Sequence, residues 1–264
     1  MSDEYQIVSY PRSRVATFDV GKIGIKKHHI IGLVEVDVTE ARKRISESIK
    51  TGKEISFTAW LIKCIGNTIA SENYIQAINK GRNKQYVFNN VDISIPIEKE
   101  VQGVKVPLAA LIKDVNNKDV SEIYNEIAKM KSTKIKNEED YVLGKGNKKN
   151  LNRLFFNMPQ VIRIAIWKRL LHNPIIRKRT MGTAILTNIG MVGNISGWII
   201  PKSMHNLCIG IGSINKKPWV VKNEIVIREI MHMTILFDHD VVDGSPAAKF
   251  TGKLLLNIEN GKWT

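Results

Sequence analysis

Cysteine is nearly absent from this 264-residue chain: only Cys64 and Cys208 occur, far apart and each inside an apolar run. Two such thiols fit a reducing compartment and inert packing better than a disulfide scaffold or a metal cluster, so a cytoplasmic location is expected. Long apolar runs are missing too. No window approaches 18 uninterrupted apolar residues, and Met1 to Tyr10 is polar and acidic with no apolar leader core, so neither a membrane span nor a signal peptide is expected. Proline and glycine, at 8 and 18 residues, are too few for a collagen-like or low-complexity chain. Acidic residues are in short supply, 25 against 40 Lys and Arg, and the resulting net charge of +15 favours an anionic partner. What remains is 43% hydrophobic, enough for a folded core, and the chain reads as one domain over 1–264.

The charge is concentrated. Residues 131–180 carry 13 Lys and Arg against Glu138, Glu139 and Asp140, which places +10 of the +15 in a fifth of the chain. The aromatics there, Phe155, Phe156 and Trp167, stand at helical spacing, which reads as core rather than as a base-stacking platform, so no nucleic-acid partner is expected. The amphipathic run Leu151–Leu171 reads as a core or subunit-contact helix with a solvated basic edge, and no membrane partner is expected. Gly144-Lys145-Gly146 lacks the rest of a P-loop, and Gly210-Ile211-Gly212-Ser213 lacks the third glycine of a dinucleotide fingerprint. The six histidines are scattered, no two of them at i, i+4 with an acidic neighbour, so no metal site is expected.

Val34, Val36 and Val38 alternate with Glu35 and Asp37, which predicts a half-buried strand running into a helix from Thr39 that ends at Gly52. Ser56 caps the next helix, whose Phe57, Trp60, Leu61, Cys64, Ile65, Thr68 and Ile69 recur at 3–4 spacing. Two extended runs follow, at Val91–Ile97 and Val106–Ile112, with Pro96 and Pro107 marking edges or irregular ladder positions. Ser121 is expected to cap a helix through Met130, 132–150 is expected to be a loop, and the helical stretch from Leu151 is expected to break near Pro159. The last third predicts strands at Thr183–Thr187, Leu207–Ile211, Trp219–Val221, Ile225–Arg228 and Ile230–Phe237, with a turn at Lys222-Asn223. A final helix opens at Ser245-Pro246, with Ser245 as its cap, and buries Ala247, Phe250, Thr251, Leu254, Leu255 and Ile258. Short connections require antiparallel pairing, so the fold expected is α/β in the α+β sense: a two-layer sandwich, its mixed and largely antiparallel sheet carrying helices on one face.

Phe237-Asp238-His239-Asp240-Val241-Val242-Asp243-Gly244 is the segment with chemistry in it. A buried strand delivers His239 at its end, and an Asp-Gly turn then starts a helix, so a general base would be held on a rigid frame. Asp243 can order that turn or pair with an arginine elsewhere.

This string resembles the His-x-x-x-Asp-Gly signature of the chloramphenicol acetyltransferase-like superfamily, and more closely the catalytic domain of the dihydrolipoamide acyltransferases of 2-oxo acid dehydrogenase complexes. Val34–Thr39, Ser56-Phe57-Thr58, Gly182-Thr183 through Thr187-Asn188-Ile189-Gly190, and Gly210–Ile214 resemble further stretches of that family in the same order. The resemblance implies a chloramphenicol acetyltransferase-like fold and transfer of an acyl group between coenzyme A and either a lipoyl thiol on a separate carrier protein or a small-molecule acceptor. It implies His239 as general base, Asp243 as the residue holding local geometry, and Thr187 as donor to the tetrahedral oxyanion. Leu186, Ile211 and Ser213 would border the coenzyme A channel. It also implies a homotrimer, or a multiple of trimers, with base and hydroxyl on different subunits. No lipoyl group is expected on this chain, which reads as free-standing because too little sequence precedes the first matched strand for a lipoyl domain. Two departures stand out: Asp240 replaces the usual Arg after the histidine, and Lys27-His28-His29 replaces the usual Pro-His. A contrasting expectation is a non-catalytic trimeric scaffold that binds an acidic protein or anionic membrane through the basic segment.

Overall fold

The fold is taken from a computed structural model, which describes residues 5–7, 13–101, 104–133, 154–188, 190 and 196–261. The 132–150 loop therefore lies almost wholly outside the described residues, as do Ile189 and the Gln102-Gly103 turn.

One six-stranded sheet organises the chain, in the order β1-β8-β7-β6-β4-β5. Its strands are β1 (His29–Asp37), β4 (Ile93–Val101), β5 (Val104–Ile112), β6 (Ala184–Asn188), β7 (Leu207–Val221) and β8 (Glu224–Asp238). The pairings of β1 with β8, β8 with β7, and β4 with β5 are antiparallel, whereas β6 runs parallel to both β4 and β7. The sheet is mixed and largely antiparallel, as expected. Pro107 sits on β5, which closes one edge, and Pro96 lies beyond the two residues, Ile93 and Ser94, at which β4 meets β6. Pro107 thus lies on an edge strand, and Pro96 lies on a strand whose far side is unpaired at that point.

The four strands expected between Leu207 and Phe237 are two continuous ones joined at Lys222-Asn223. Both turn residues have positive φ, 50° and 67°, as a two-residue hairpin requires. An irregularity between Ile211 and Ile214 interrupts the register.

On one face of the sheet lie α2 (Thr39–Lys50), α3 (Phe57–Ser71), α4 (Val120–Ser132) and α7 (Gly244–Glu259). Ile45, Trp60, Ile65, Ile123, Phe250 and Leu254 from these helices pack on Val36, Ile93, Leu186, Ile209, Met233 and Phe237 from the strands, and this is the core. Ser56 caps α3 as predicted, accepting from the Ala59 N–H. The cap of α4 is Asp119 rather than Ser121. Its carboxylate accepts from the Glu122 N–H, and the Glu122 side chain reaches back to the Asp119 N–H, so the reciprocal pair outcompetes a lone hydroxyl two residues on. Likewise α7 begins two residues earlier than expected, with Asp243 rather than Ser245 at the cap position.

The opposite face is crossed by the segment from Gly197 to Asn206, whose backbone at Ile199 lies against Gly210 and whose Trp198 indole donates to the Val34 carbonyl. Three elements gather where β8 ends and β7 begins: α1 (Ser13–Gly24), absent from the sequence reading, α5 (Gln160–His172) and α6 (Pro174–Met181). Gly24 passes so close to Ser203 that a Cβ would stand 2.9 Å from its carbonyl oxygen. The expected break at Pro159 is present, between a short helical turn at 154–157 and α5. Phe155, Phe156 and Trp167 are buried and stack edge to face.

The expectation of a solvated basic edge holds for Lys168 and Arg169 and fails for Arg163, which is buried and bonded through Nε and Nη2 to Asp19 of α1. Apolar Val161 and Ile162 of α5 face outward instead. Arg177 and Lys178 are also spent inside, on Asn206 and Asp92, so part of the basic segment is structural charge.

Candidate active site

His239 follows the last residue of β8, and what fixes it is the strand end beneath it. Its N–H donates to the His28 carbonyl at 2.8 Å, and the preceding Asp238 N–H donates to the Asn206 carbonyl at 2.8 Å. Asp238 is fully buried and ion-paired with Lys27. Lys27 also donates to the Asn206 side chain at 3.0 Å, and Arg177 donates to the same oxygen at 2.7 Å. Burial with no full ion pair of its own pushes the Arg177 guanidinium down to about 10. A buried anion flanked by two cations and an amide thus locks β1, β7, β8 and α6 together one residue before the histidine.

The imidazole itself is accessible. His239 is 52% exposed, and its Nδ1 stands 3.7 Å from Oδ1 of Asp243, whose carboxylate is 86% exposed. That separation permits electrostatic stabilisation of an imidazolium and exceeds a hydrogen bond. Asp243 occupies the cap position of α7 without a side-chain cap hydrogen bond, and among the described residues no arginine forms an ion pair with it, so its carboxylate performs neither of the two expected roles within one chain. The next residue, Asp240, pairs with His28, Nδ1 to Oδ1 at 3.0 Å. Their hydrogen bond raises the His28 value and holds Asp240 below its ordinary range. The two departures from the family pattern therefore meet each other across the loop.

Thr187 lies at the far end of β6, beside Gly210 of β7, which in turn lies beside Thr234 of β8. From Thr234 to His239 is five residues, so Thr187 and His239 of one chain are about 17 Å apart along the strands and about 10 Å apart across them. One chain does not bring the two predicted site residues, His239 and Thr187, together. Thr187 is half-buried on the sheet face away from the four core helices, with Gly182 at the start of its strand. Gly182 has φ +76°, and a Cβ there would stand 2.5 Å from the Asp92 carbonyl, which accounts for glycine at this point.

Of the other predicted residues, Leu186 and Ile211 point into the helix-covered core. Ser213 is buried on the other face, where its hydroxyl meets His232 Nδ1 at 3.2 Å and accepts from Asn215 at 2.8 Å. His232 completes a closed cluster with Glu35, at 3.2 Å, and Lys217, and Trp198 stacks edge-on over its ring. The lysine holds the Glu35 carboxyl below its usual range. His205 is saturated in the same way, by Ser203 and the Met181 carbonyl, and burial pushes it down to about 4. Both cysteine thiols are pushed up to about 12 by burial, which makes them inert near neutrality.

One contact set was not predicted. The chain between α3 and β4 forms a small hairpin apart from the main sheet, β2 (Ile78–Lys80) with β3 (Lys84–Tyr86). Asn79 donates to the Asp240 carbonyl at 2.8 Å, and Gln85 donates to the Val241 carbonyl at 3.3 Å.

Fold and site together define a two-layer α/β protein of the acyltransferase catalytic-domain class, with a strand-end histidine and an Asp-Gly helix start. The family of 2-oxoacid dehydrogenases acyltransferase (catalytic domain) matches residues 26–139 and 176–262, and the chain belongs to it. The chain is 28% identical over 173 residues to the dihydrolipoyllysine-residue acetyltransferase component of the pyruvate dehydrogenase complex of Rickettsia prowazekii, covering 66% of this chain and 33% of that one. It is 21% identical over 232 residues to the mitochondrial succinyltransferase component of the 2-oxoglutarate dehydrogenase complex of Mus musculus, 86% of this chain and 42% of that one. The chain thus spans less than half the length of these curated relatives. The crystal structure of a probable dihydrolipoamide acetyltransferase from Listeria monocytogenes superposes with a TM-score of 0.69 at 19% identity, over 99% of this chain and 97% of that one. The resemblance read from the sequence is thereby confirmed. Residues 140–175, outside the matched stretches, fall within the basic segment where the sequence is least family-like.

Proposed function

We propose that the chain is the catalytic unit of a coenzyme A-dependent acyltransferase that exchanges an acyl group between coenzyme A and a lipoyl thiol carried on another domain or protein, or a small acceptor. The observation that carries this reading is the accessible His239, held at the end of β8 by buried contacts and followed by Asp243. Neutral imidazole takes the proton of the attacking thiol. The thiolate adds to the thioester carbonyl, the tetrahedral oxyanion is stabilised by a hydroxyl, and collapse expels the second thiolate, which recovers the proton from the imidazolium. Base catalysis of this kind supplies roughly 10²–10⁴-fold and one oxyanion donor about 10²–10³-fold.

Thr187 is the proposed donor, and its distance from His239 in one chain requires that it come from a second copy. A trimer, as the family resemblance implies, supplies it. Ser213 and the backbone at Leu186 and Ile211 flank the same face as Thr187 and are the proposed coenzyme A neighbours. The acetyl and succinyl groups of the relatives leave the acyl group of this chain to experiment.

The test is thiol release from acetyl- and succinyl-coenzyme A with dihydrolipoamide, amines or alcohols as acceptors, in wild type and His239→Ala. Turnover that disappears in the variant supports the reading. No turnover with any acceptor, together with no shift in melting temperature on adding coenzyme A, overturns it in favour of a non-catalytic scaffold.

A further inference from the structure

The turn that carries His239 has little apolar cover. His239 and Asp240 are exposed, Val241 is half-buried, and only Val242 enters the core. Beneath it, the N–H groups of Val241 and Val242 bond back to the Asp238 carbonyl at 2.9 and 3.0 Å. The carbonyls of Asp240 and Val241 point the other way, and the β2–β3 hairpin meets them. Asn79 and Gln85 are directly opposite each other in that hairpin, and Gln85 Nε2 also donates to Asn79 Oδ1 at 3.0 Å, so the two amides act as one unit. A two-stranded ribbon is marginal by itself. This one is anchored by buried Ala77 and Ile78, and Asn206 of the strand-end network donates to the Ala77 carbonyl at 2.7 Å. The hairpin is thus tied to the frame that holds Asp238 and, through its two amides, to the loop on the other side of His239.

We propose that Asn79 and Gln85 are positioning residues for His239: a pair of side-chain amides that clamps the Asp240 and Val241 carbonyls and so fixes the imidazole against the reacting thiol. This rests on the acyltransferase reading of His239. Neither amide touches the imidazole, and both are exposed, so replacing them leaves the core intact. Misplacement of a base by as little as 1 Å costs up to about 10²-fold in rate. The exposed His28–Asp240 pair restrains the same loop through a side chain, and the clamp restrains it through the backbone.

The test uses the isosteric double variant Asn79→Asp and Gln85→Glu, which keeps shape and removes both donors, on the full chain. Two readouts are taken: hydrogen exchange of the peptide spanning 238–243, and steady-state kinetics of thiol release from acyl-coenzyme A. The clamp predicts faster exchange at 239–242, with kcat down about tenfold or more while KM for acyl-coenzyme A stays within about twofold. Restoring Asn79 alone recovers part of kcat, which a general loss of folding would not give. Unchanged exchange overturns the clamp whether or not the chain transfers acyl groups. Faster exchange with unchanged kcat overturns its role in positioning. If wild type and variant both lack turnover while exchange accelerates, the failure lies in the acyltransferase reading, and the positioning role falls with it.

Discussion

Strand β8 carries one histidine near its middle and delivers another just past its end, and the two are handled in opposite ways. His232 is 1% exposed and is enclosed by Ser213, Glu35, Lys217 and the face of the sheet under Trp198. His239 has a carboxylate nearby at 3.7 Å, no closer side-chain partner among the described residues, and half its surface open. Both are imidazoles beside carboxylates, and a motif search would score them alike. Saturation separates them. A histidine whose ring nitrogens are spent on fixed partners stores stability, whereas one held through its backbone, with ring nitrogens free, can accept and return a proton.

The sharpest break of that contrast is the paired replacement His239→Ala and His232→Ala. The first should lower acyl transfer by roughly 10²–10⁴-fold with the melting temperature little changed. The second should lower stability, because it strands a buried serine hydroxyl and the Glu35–Lys217 pair, and a variant that still folds should keep its pH profile. Thr187→Ala should cost about 10²–10³-fold in thiol release. Because His239 and Thr187 of one chain are far apart, the proposed shared site predicts that mixing inactive His239→Ala with inactive Thr187→Ala and allowing subunits to exchange rebuilds about a quarter of the sites. Recovery of no activity after verified exchange would remove the shared-site arrangement.

His205 sharpens the comparison in acid. Its folded value, about 4, lies below the ordinary 6.5, so protons favour the unfolded chain; its stability is complete above pH 6.5 and is lost as pH falls from there toward 4. The loss should reach on the order of 3 kcal/mol, read by urea unfolding at stepped pH, and His205→Asn should flatten that slope. The smallest effect is expected at His28→Ala. Its pair with Asp240 is exposed on both sides, so the melting temperature should stay within about 2 °C, measured by calorimetry at pH 6 and 8.

Much of this was legible before any coordinates. Alternation from Val34 to Val38 reads as strand, the apolar run Ile230–Phe237 reads as a strand buried on both faces, and Ser56 marks a helix start because a hydroxyl there satisfies a free N–H. The His239–Asp243 pair is readable because both lie on one short, punctuated segment. The capping box at Asp119 and Glu122 was readable too, at three-residue spacing, and a nearby serine drew the assignment away from it. Other features depend on partners distant in sequence. Asn79 and Gln85 look like ordinary polar turn residues until the fold sets them under a loop some 160 positions away. Arg163 reads as a surface cation until Asp19, on a helix about 140 residues away in sequence, is found beneath it. The separation of Thr187 from His239 follows from strand register alone, which periodicity cannot supply.

The pairing of β1 has a consequence for how the chain is made. Residues 29–37 bond along their whole length to 230–238 and to no other strand. During synthesis, β1 leaves the ribosome about 200 residues ahead of its ladder partner, and β4 leads β6 and β7, which fill the centre of the sheet, by about 90 and 115 residues. Closing those loops is entropically costly, and the sheet is completed only once β8 is available. A chain stopped before β8 would lack both the strand that joins β1 to β7 and the loop that carries His239, and would present unpaired apolar strands to proteases and to other nascent chains.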